Sequence, residues 1–134
     1  MGEKENIEIS KSDRILAEYF RVLVVDEKLY LYRDLNLSDL ARLMETKRSY
    51  LSQAVNRVFG KSFTVFVNEL RIEESIRIMQ EQPRLTVGKL THKAGFNDRT
   101  TFYRVFKQVK GMVPSEYREK ERSMEMTDNE NNNV

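Results

Sequence analysis

Two stretches of this sequence follow the same layout, and few folds accommodate both. Leu40-Ala41 aligns with Leu90-Thr91 at an offset of 50, while Leu51 aligns with Phe102 and Gly60 with Gly111 at an offset of 51. The copies differ by one residue in the turn. Each reads as a short helix, a tight turn and a helix of about twelve residues, which is the layout of a helix-turn-helix. One copy is weak evidence, because short helix pairs fill many all-helical cores. Two copies joined by a single long helix narrow the field.

The remaining punctuation supports an all-α fold of about seven helices, two helix-turn-helix subdomains joined by a long linker helix. Apolar residues recur at helical spacing in every block, and none alternates cleanly with period two. Ile15, Leu16, Tyr19, Phe20, Leu23 and Val24 mark a first helix from Lys11 to Glu27. Asn36 and Asp39 form an Asn-x-x-Asp capping signal ahead of a short helix carrying Leu40, Ala41, Leu43 and Met44. Leu51, Ala54, Val55 and Val58 then line one face of a helix stopped by Gly60. Phe63, Phe66, Val67, Leu70, Ile76 and Met79 point inward from the linker helix, which Pro83 ends. In the second copy Val87 and Leu90 point inward, then Phe102, Val105, Phe106 and Val109, before Gly111 and a last helix opened by Pro114. The expected division is a flexible tail at 1–10, subdomains at 11–61 and 83–122 around a linker at 62–82, and a disordered acidic tail at 123–134.

Composition closes off several functions. There is no Cys and one His, His92, so disulfides, thiolate sites and a His-rich metal centre are excluded, and no cofactor is expected. No carboxylate is paired with a nucleophile or metal ligand, no Gly-rich phosphate loop is present, and no enzyme is read from this chain. No window approaches the ~18 apolar residues of a membrane helix. The chain therefore reads as soluble and intracellular. His92 reads as a surface or phosphate-contact residue. The Phe residues sit on the inward stripe and read as core, not as a stacking platform for bases.

The formal net charge of +2 conceals a partition. Residues 1–10 carry net −2 and residues 123–134 net −3, which leaves 22 bases against 15 acids, net +7, between residues 11 and 122. On the first long helix of the repeat the outward positions are Arg48, Ser49, Ser52, Gln53, Asn56 and Arg57, and the run from Lys47 to Lys61 contains no acid. On the second they are Arg99, Thr100, Tyr103, Arg104 and Lys107, opposed by Asp98, which sits with Asn97 where a helix cap belongs. A polar outward face alone is ordinary. Two acid-poor faces at matching repeat positions are not, and their residue types suit duplex DNA. Arg can donate in parallel to guanine's major-groove acceptors, Gln and Asn can pair with adenine, and Lys supplies charge to phosphates without reading sequence.

The motifs LSDLARLM, YLSQAVNRVFGKSFTVFVNELRIEESIRIM and GFNDRTTFYRVFKQVKGMVPSEYR resemble the DNA-binding domain of AraC/XylS-type bacterial transcription regulators, over roughly residues 12–122. The third carries the resemblance furthest, with Gly95-Phe96, Phe102, Phe106-Lys107, Gly111, Pro114 and Tyr117-Arg118 at the family's spacing. The resemblance implies two recognition helices in adjacent major-groove segments of double-stranded DNA. Contacts one helical turn apart lie ~34 Å from each other, so the site spans on the order of 20 base pairs. By position the base-reading candidates are Arg48, Ser49, Ser52 and Gln53, then Arg99, Thr100, Thr101, Tyr103 and Arg104, with Lys47, Asn56, Arg57 and Lys107 supporting them.

It also implies activation through contact with RNA polymerase, no small-molecule site in this domain, and a sensory or dimerising module elsewhere in a longer chain. The stretch GFNDRTTFYRVFK is similar to a branch in which the domain forms the cytoplasmic end of a membrane-bound sensor; a free-standing short regulator is the competing setting. Four positions depart from the family pattern: Thr91, Gly88, Val113 and Ser75. A helical protein-interaction module with basic faces for an acidic partner is the alternative from a different class.

Overall fold

The computed structural model describes residues 8–132, with side chains through Met126. Among the described residues there are seven α-helices and no strand. They are α1 (Lys11–Arg21), α2 (Leu37–Leu43), α3 (Arg48–Phe59), α4 (Phe63–Glu81), α5 (Val87–Lys93), α6 (Arg99–Lys110) and α7 (Pro114–Asn132). The chain divides into two compact units, the first running through Leu70 and the second beginning at Arg71. No helix among the described residues is long and apolar enough to cross a membrane.

In the first unit, α1 begins with a capping box. The Asp13 N–H donates to Ser10 Oγ at 3.0 Å and the Ser10 N–H donates to Asp13 Oδ2 at 3.4 Å. The helix then widens into a π-helical turn over Val22–Asp26, closed by the Glu27 N–H on the Val22 carbonyl at 2.9 Å, and Lys28 reverses the chain at φ 60°. That turn buries Val24 and packs Leu23 and Val25 against the first core. Phe20 sits at its centre, with ring centroids 5.1 Å from Phe66, 6.0 Å from Phe59 and 6.1 Å from Phe63. Burying a side chain of this size contributes roughly 1.5–3 kcal/mol.

Three apolar residues of the helical pattern lie outside. Ile15 is 61% exposed, Tyr19 45% and Leu43 59%. The buried stripe of α1 is narrow, Asp13, Ala17 and Phe20, and α2 likewise buries Leu40 and Ala41 with Met44 at its cap. A helix packed along one side hides a single stripe of positions, so an apolar residue off that stripe stays in water.

The second unit is built around a row of rings. Phe96 and Phe102 lie 5.2 Å apart, Phe102 and Phe106 5.8 Å, and Phe106 and Tyr117 5.5 Å, the last two pairs near edge-to-face. Val109, expected inward, is exposed at the end of α6. Thr91 and Ser75 are buried polar residues that a core should reject. Each hydroxyl is satisfied inside its own helix, Thr91 Oγ1 donating to the Val87 carbonyl at 2.8 Å and Ser75 Oγ to the Ile72 carbonyl at 2.6 Å.

Helix α4 is more than a spacer. Phe63, Phe66, Val67 and Leu70 join the first core, and Ile72, Ile76, Ile78 and Met79 join the second. Helix α7 continues through Asn132, so residues 123–132 are helical where a disordered tail was expected. No Gly or Pro follows Pro114 to stop the helix, and Ser123 Oγ donates to the Glu119 carbonyl at 3.1 Å. The extension keeps Met124 and Met126 exposed. Most of the expected N-terminal tail, residues 1–7, lies outside the described residues, as do 133 and 134; Ser10, at its end, is ordered as the α1 cap.

The two helix-turn-helix turns match bond for bond. In the first, Met44, Glu45 and Thr46 N–H groups donate to the carbonyls of Leu40, Arg42 and Ala41; in the second, Ala94, Gly95 and Phe96 donate to Leu90, His92 and Thr91. Each turn needs a left-handed residue, Glu45 at φ 55° and Gly95 at φ 94°. Glycine takes that conformation freely and glutamate does not. Replacing Glu45→Gly is therefore expected to stabilise the protein by ~0.5–1 kcal/mol and Gly95→Ala to destabilise it by ~1–2 kcal/mol, read by chemical denaturation.

Candidate nucleic-acid interface

The turns hold α3 and α6 with one side on their cores and the other in solvent. Leu51, Ala54 and Val55 bury α3; Phe102, Val105 and Phe106 bury α6. Of the residues expected at the interface, Lys47, Arg48, Ser49, Gln53, Asn56 and Arg57 are exposed and Ser52 is half-buried. In the second unit Arg99, Thr100, Arg104 and Lys107 are exposed, while Thr101 and Tyr103 are half-buried.

Several of these side chains already have work inside the fold. Thr101 Oγ1 donates to Asp98 Oδ2 at 3.2 Å, and its N–H donates to Asp98 Oδ1 at 2.8 Å, which makes Asp98 the cap of α6. Tyr103 packs edge-on to Phe102 at 6.0 Å. Asn56 Nδ2 donates to the Ser52 carbonyl at 2.8 Å. Arg57 NH1 donates to Asp13 Oδ2 on α1 at 3.2 Å, and Lys110 is paired with Glu73 at 2.8 Å. Burial pushes the Asp13 carboxyl up, but the hydrogen bonds from Arg57 and Ser10 together outweigh it and hold the group below its ordinary value.

The exposed charges sit where they do not serve the helices. Lys47 and Arg48 at the start of α3 and Arg99 at the start of α6 place cations at the positive end of the helix dipole. α3 has no side-chain cap either. Such placement makes physical sense when an external anion completes it.

Two further residues adjoin this surface. Tyr50 is 52% exposed on α3, with Lys47 Nζ 5.3 Å from its ring centre. It stands three residues before Gln53 and seven before Arg57, on one ridge, but an aromatic defaults to the core in a periodicity reading. Gly88, a costly residue inside α5, lies beneath Arg99: a Cβ there would come 3.3 Å from the Arg99 guanidinium. The missing side chain leaves Arg99 room to lie against α5. No group of His or acidic residues able to hold a metal occurs among the described residues.

Two helix-turn-helix units, each presenting a basic exposed helix, define the paired helix-turn-helix class of DNA-binding modules. A family model described as a helix-turn-helix domain matches residues 40–120, and the chain belongs to this AraC-type family. It is 27% identical over 84 residues to the Msm operon regulatory protein of Streptococcus mutans, covering 63% of this chain and 30% of that protein. It is 27% identical over 117 residues to the HTH-type transcriptional regulator YisR of Bacillus subtilis, covering 87% of this chain and 39% of the relative. The chain thus spans about a third of the length of these relatives. Among solved structures, the C-terminal domain of AraT, a response regulator from Geobacillus stearothermophilus, superposes with a TM-score of 0.70 at 22% identity, over 84% of this chain and 88% of that one. The C-terminal domain of the response regulator YesN from Fusobacterium nucleatum gives 0.65 at 22% identity, over 81% and 99%. The family is one of DNA-binding transcription regulators and not of enzymes.

The α6 cap makes folding stability depend on pH. The Thr101 N–H first and its hydroxyl second hold the Asp98 carboxyl below its ordinary value of 3.8. A carboxyl lowered on folding adds stability that is complete above the unfolded value and is lost as pH falls through the depressed one. Acid unfolding should weaken the protein through that window, and Asp98→Asn, which retains a capping oxygen but cannot ionise, should remove this part of the dependence.

Proposed function

We propose that this chain binds duplex DNA sequence-specifically, with α3 and α6 as recognition helices in adjacent major-groove segments, and that it activates transcription through contact with RNA polymerase. The observation that carries the DNA reading is the pair of exposed basic helices, each presented by the same turn. Arg48, Ser49, Ser52 and Gln53 are the base-reading group of α3, and Arg99, Thr100 and Arg104 that of α6. Lys47, Asn56 and Lys107 serve phosphates. Thr101 and Tyr103 are assigned a supporting part, since the first completes the α6 cap and the second packs on Phe102. Activation rests on family resemblance, as does a signal-sensing module elsewhere in a longer parent protein.

Binding selection from a randomised duplex pool tests the reading. A single asymmetric site on the order of 20 base pairs should emerge, and affinity should fall steeply with salt. Arg99→Ala is expected to lower affinity for that site by ~1–3 kcal/mol and to relax one position, whereas Lys107→Ala should weaken all duplexes alike and reduce the salt slope. Salt-sensitive binding without any enriched sequence would contradict the proposal and favour a general acidic partner. A promoter fusion with increased output in the presence of the protein would support activation.

A further inference from the structure

Asp13 lies outside both helix-turn-helix motifs, yet its carboxylate is bonded to a side chain of the recognition helix 44 residues away. Arg57, in the last turn of α3, donates to Asp13 Oδ2, and the Asp13 side chain is only 10% exposed. A carboxylate so nearly buried holds its counter-ion, because letting go leaves an uncompensated charge. The α1 capping box fixes Asp13 from the other side, the Ser10 N–H donating to the same oxygen. Arg57 is therefore anchored to α1.

The next cation along the chain is held in the same way. Lys61, just past the end of α3, is paired with Glu69 of α4. The second unit repeats this at the last residue of α6, where Lys110 is paired with Glu73 of α4. The cations at the other end of α3 are treated differently. Lys47 and Arg48 are exposed and form no ion pair among the described residues. The free charge of α3 thus stands at its start, and the neutralised charge at and beyond its end. A phosphate gains sequence-independent affinity from a cation that is free to neutralise it and to release its counter-ions. A cation already matched by a nearly buried carboxylate adds little of that attraction.

We propose that Asp13 sets the edge of the DNA-contact surface on α3: by holding Arg57 it withholds that cation from phosphate and confines the sequence-independent attraction of the helix to its start. Asp13 acts through Arg57 and is a positioning residue. This assigns Arg57 to the fold instead of DNA contact, and it rests on the DNA-binding reading above.

The salt dependence of binding to a random-sequence duplex tests it, in parallel for the unaltered full chain, Asp13→Asn, the double variant Asp13→Asn/Arg57→Ala, and Glu18→Gln. Each phosphate neutralised makes the logarithm of affinity fall by about 0.9 per tenfold rise in salt. Asp13→Asn keeps an oxygen for the cap but leaves Arg57 without its counter-charge. The slope should steepen by about 0.9, so that the affinity lost between about 50 and 200 mM salt grows roughly threefold. The double variant removes both charges of the pair and should keep the slope of the unaltered protein. Glu18→Gln raises the net charge of α1 equally, away from the recognition helix, with Arg21 still paired to Asp26, and should also keep it. A merely structural role for Asp13 would lower the folded fraction without steepening the slope. Three results overturn the proposal: an unchanged slope in Asp13→Asn, an equal steepening in Glu18→Gln, or a slope shallower by about 0.9 in the double variant, which would mean that Arg57 already touches phosphate. The double variant decides alone if Asp13→Asn fails to fold. An absence of salt-sensitive duplex binding by the unaltered protein would instead overturn the DNA-binding proposal on which this one stands.

Discussion

Everything presented on the surface of either unit depends on the turn between its short and long helices. Three backbone hydrogen bonds close that turn, at matching positions in both copies, around a residue forced into the left-handed region. Bonds of this kind are satisfied locally, so they set the angle between the two helices without help from distant residues. Packing then locks that angle. Leu40 and Ala41 with Leu51 and Val55 do so in the first unit, Leu90 and Ala94 with Phe102 and Phe106 in the second. The faces turned away from these contacts are the ones left for a ligand.

What occupies those faces follows from electrostatics more than from stability. Cations at helix N-termini work against the dipole, and the absence of acids from the exposed side of α3 removes the partners that would normally quiet them. Three carboxylates among the described residues reach these helices, Glu73 among them through Lys110 at the end of α6. Asp98 ends its reach at the cap of α6, where it satisfies backbone donors, and Asp13 reaches α3 from another helix to take Arg57. The remaining charges, Arg48, Arg99, Arg104 and Lys107 among them, stay exposed. A polyanion with regularly spaced charges is the natural complement of such a surface.

Much of this was legible in the sequence because the deciding interactions are local. The caps at Asn36 and Asp98, the stops at Gly60 and Gly111, and the inward stripes of α3 and α6 are all set by residues within a few positions of each other. Features decided by distant contacts were not legible. Ile15 and Tyr19 look inward until the narrowness of the α1 packing face is known, and the π-helical turn has no periodic signature. The acidic C-terminal stretch has a disorder-like composition, but a helix already started at Pro114 propagates into it as far as Asn132. In the candidate site, the exposed residues were found by counting along the helix. The Asp13–Arg57 pair could not be, since only its Ser-x-x-Asp cap is visible locally, and Gly88 gains a meaning only once Arg99 is seen above it.

The central claim is that the exposed sides of α3 and α6 are the surfaces that meet DNA. Mapping backbone amide shifts while the protein is titrated with a duplex carrying its preferred sequence tests this most directly. The largest changes should fall on residues 47–57 and 98–107, with both groups responding at the same duplex concentration. Changes concentrated on Ile15 and Tyr19 of α1, or along the exposed part of α7, with α3 and α6 unmoved, would contradict it.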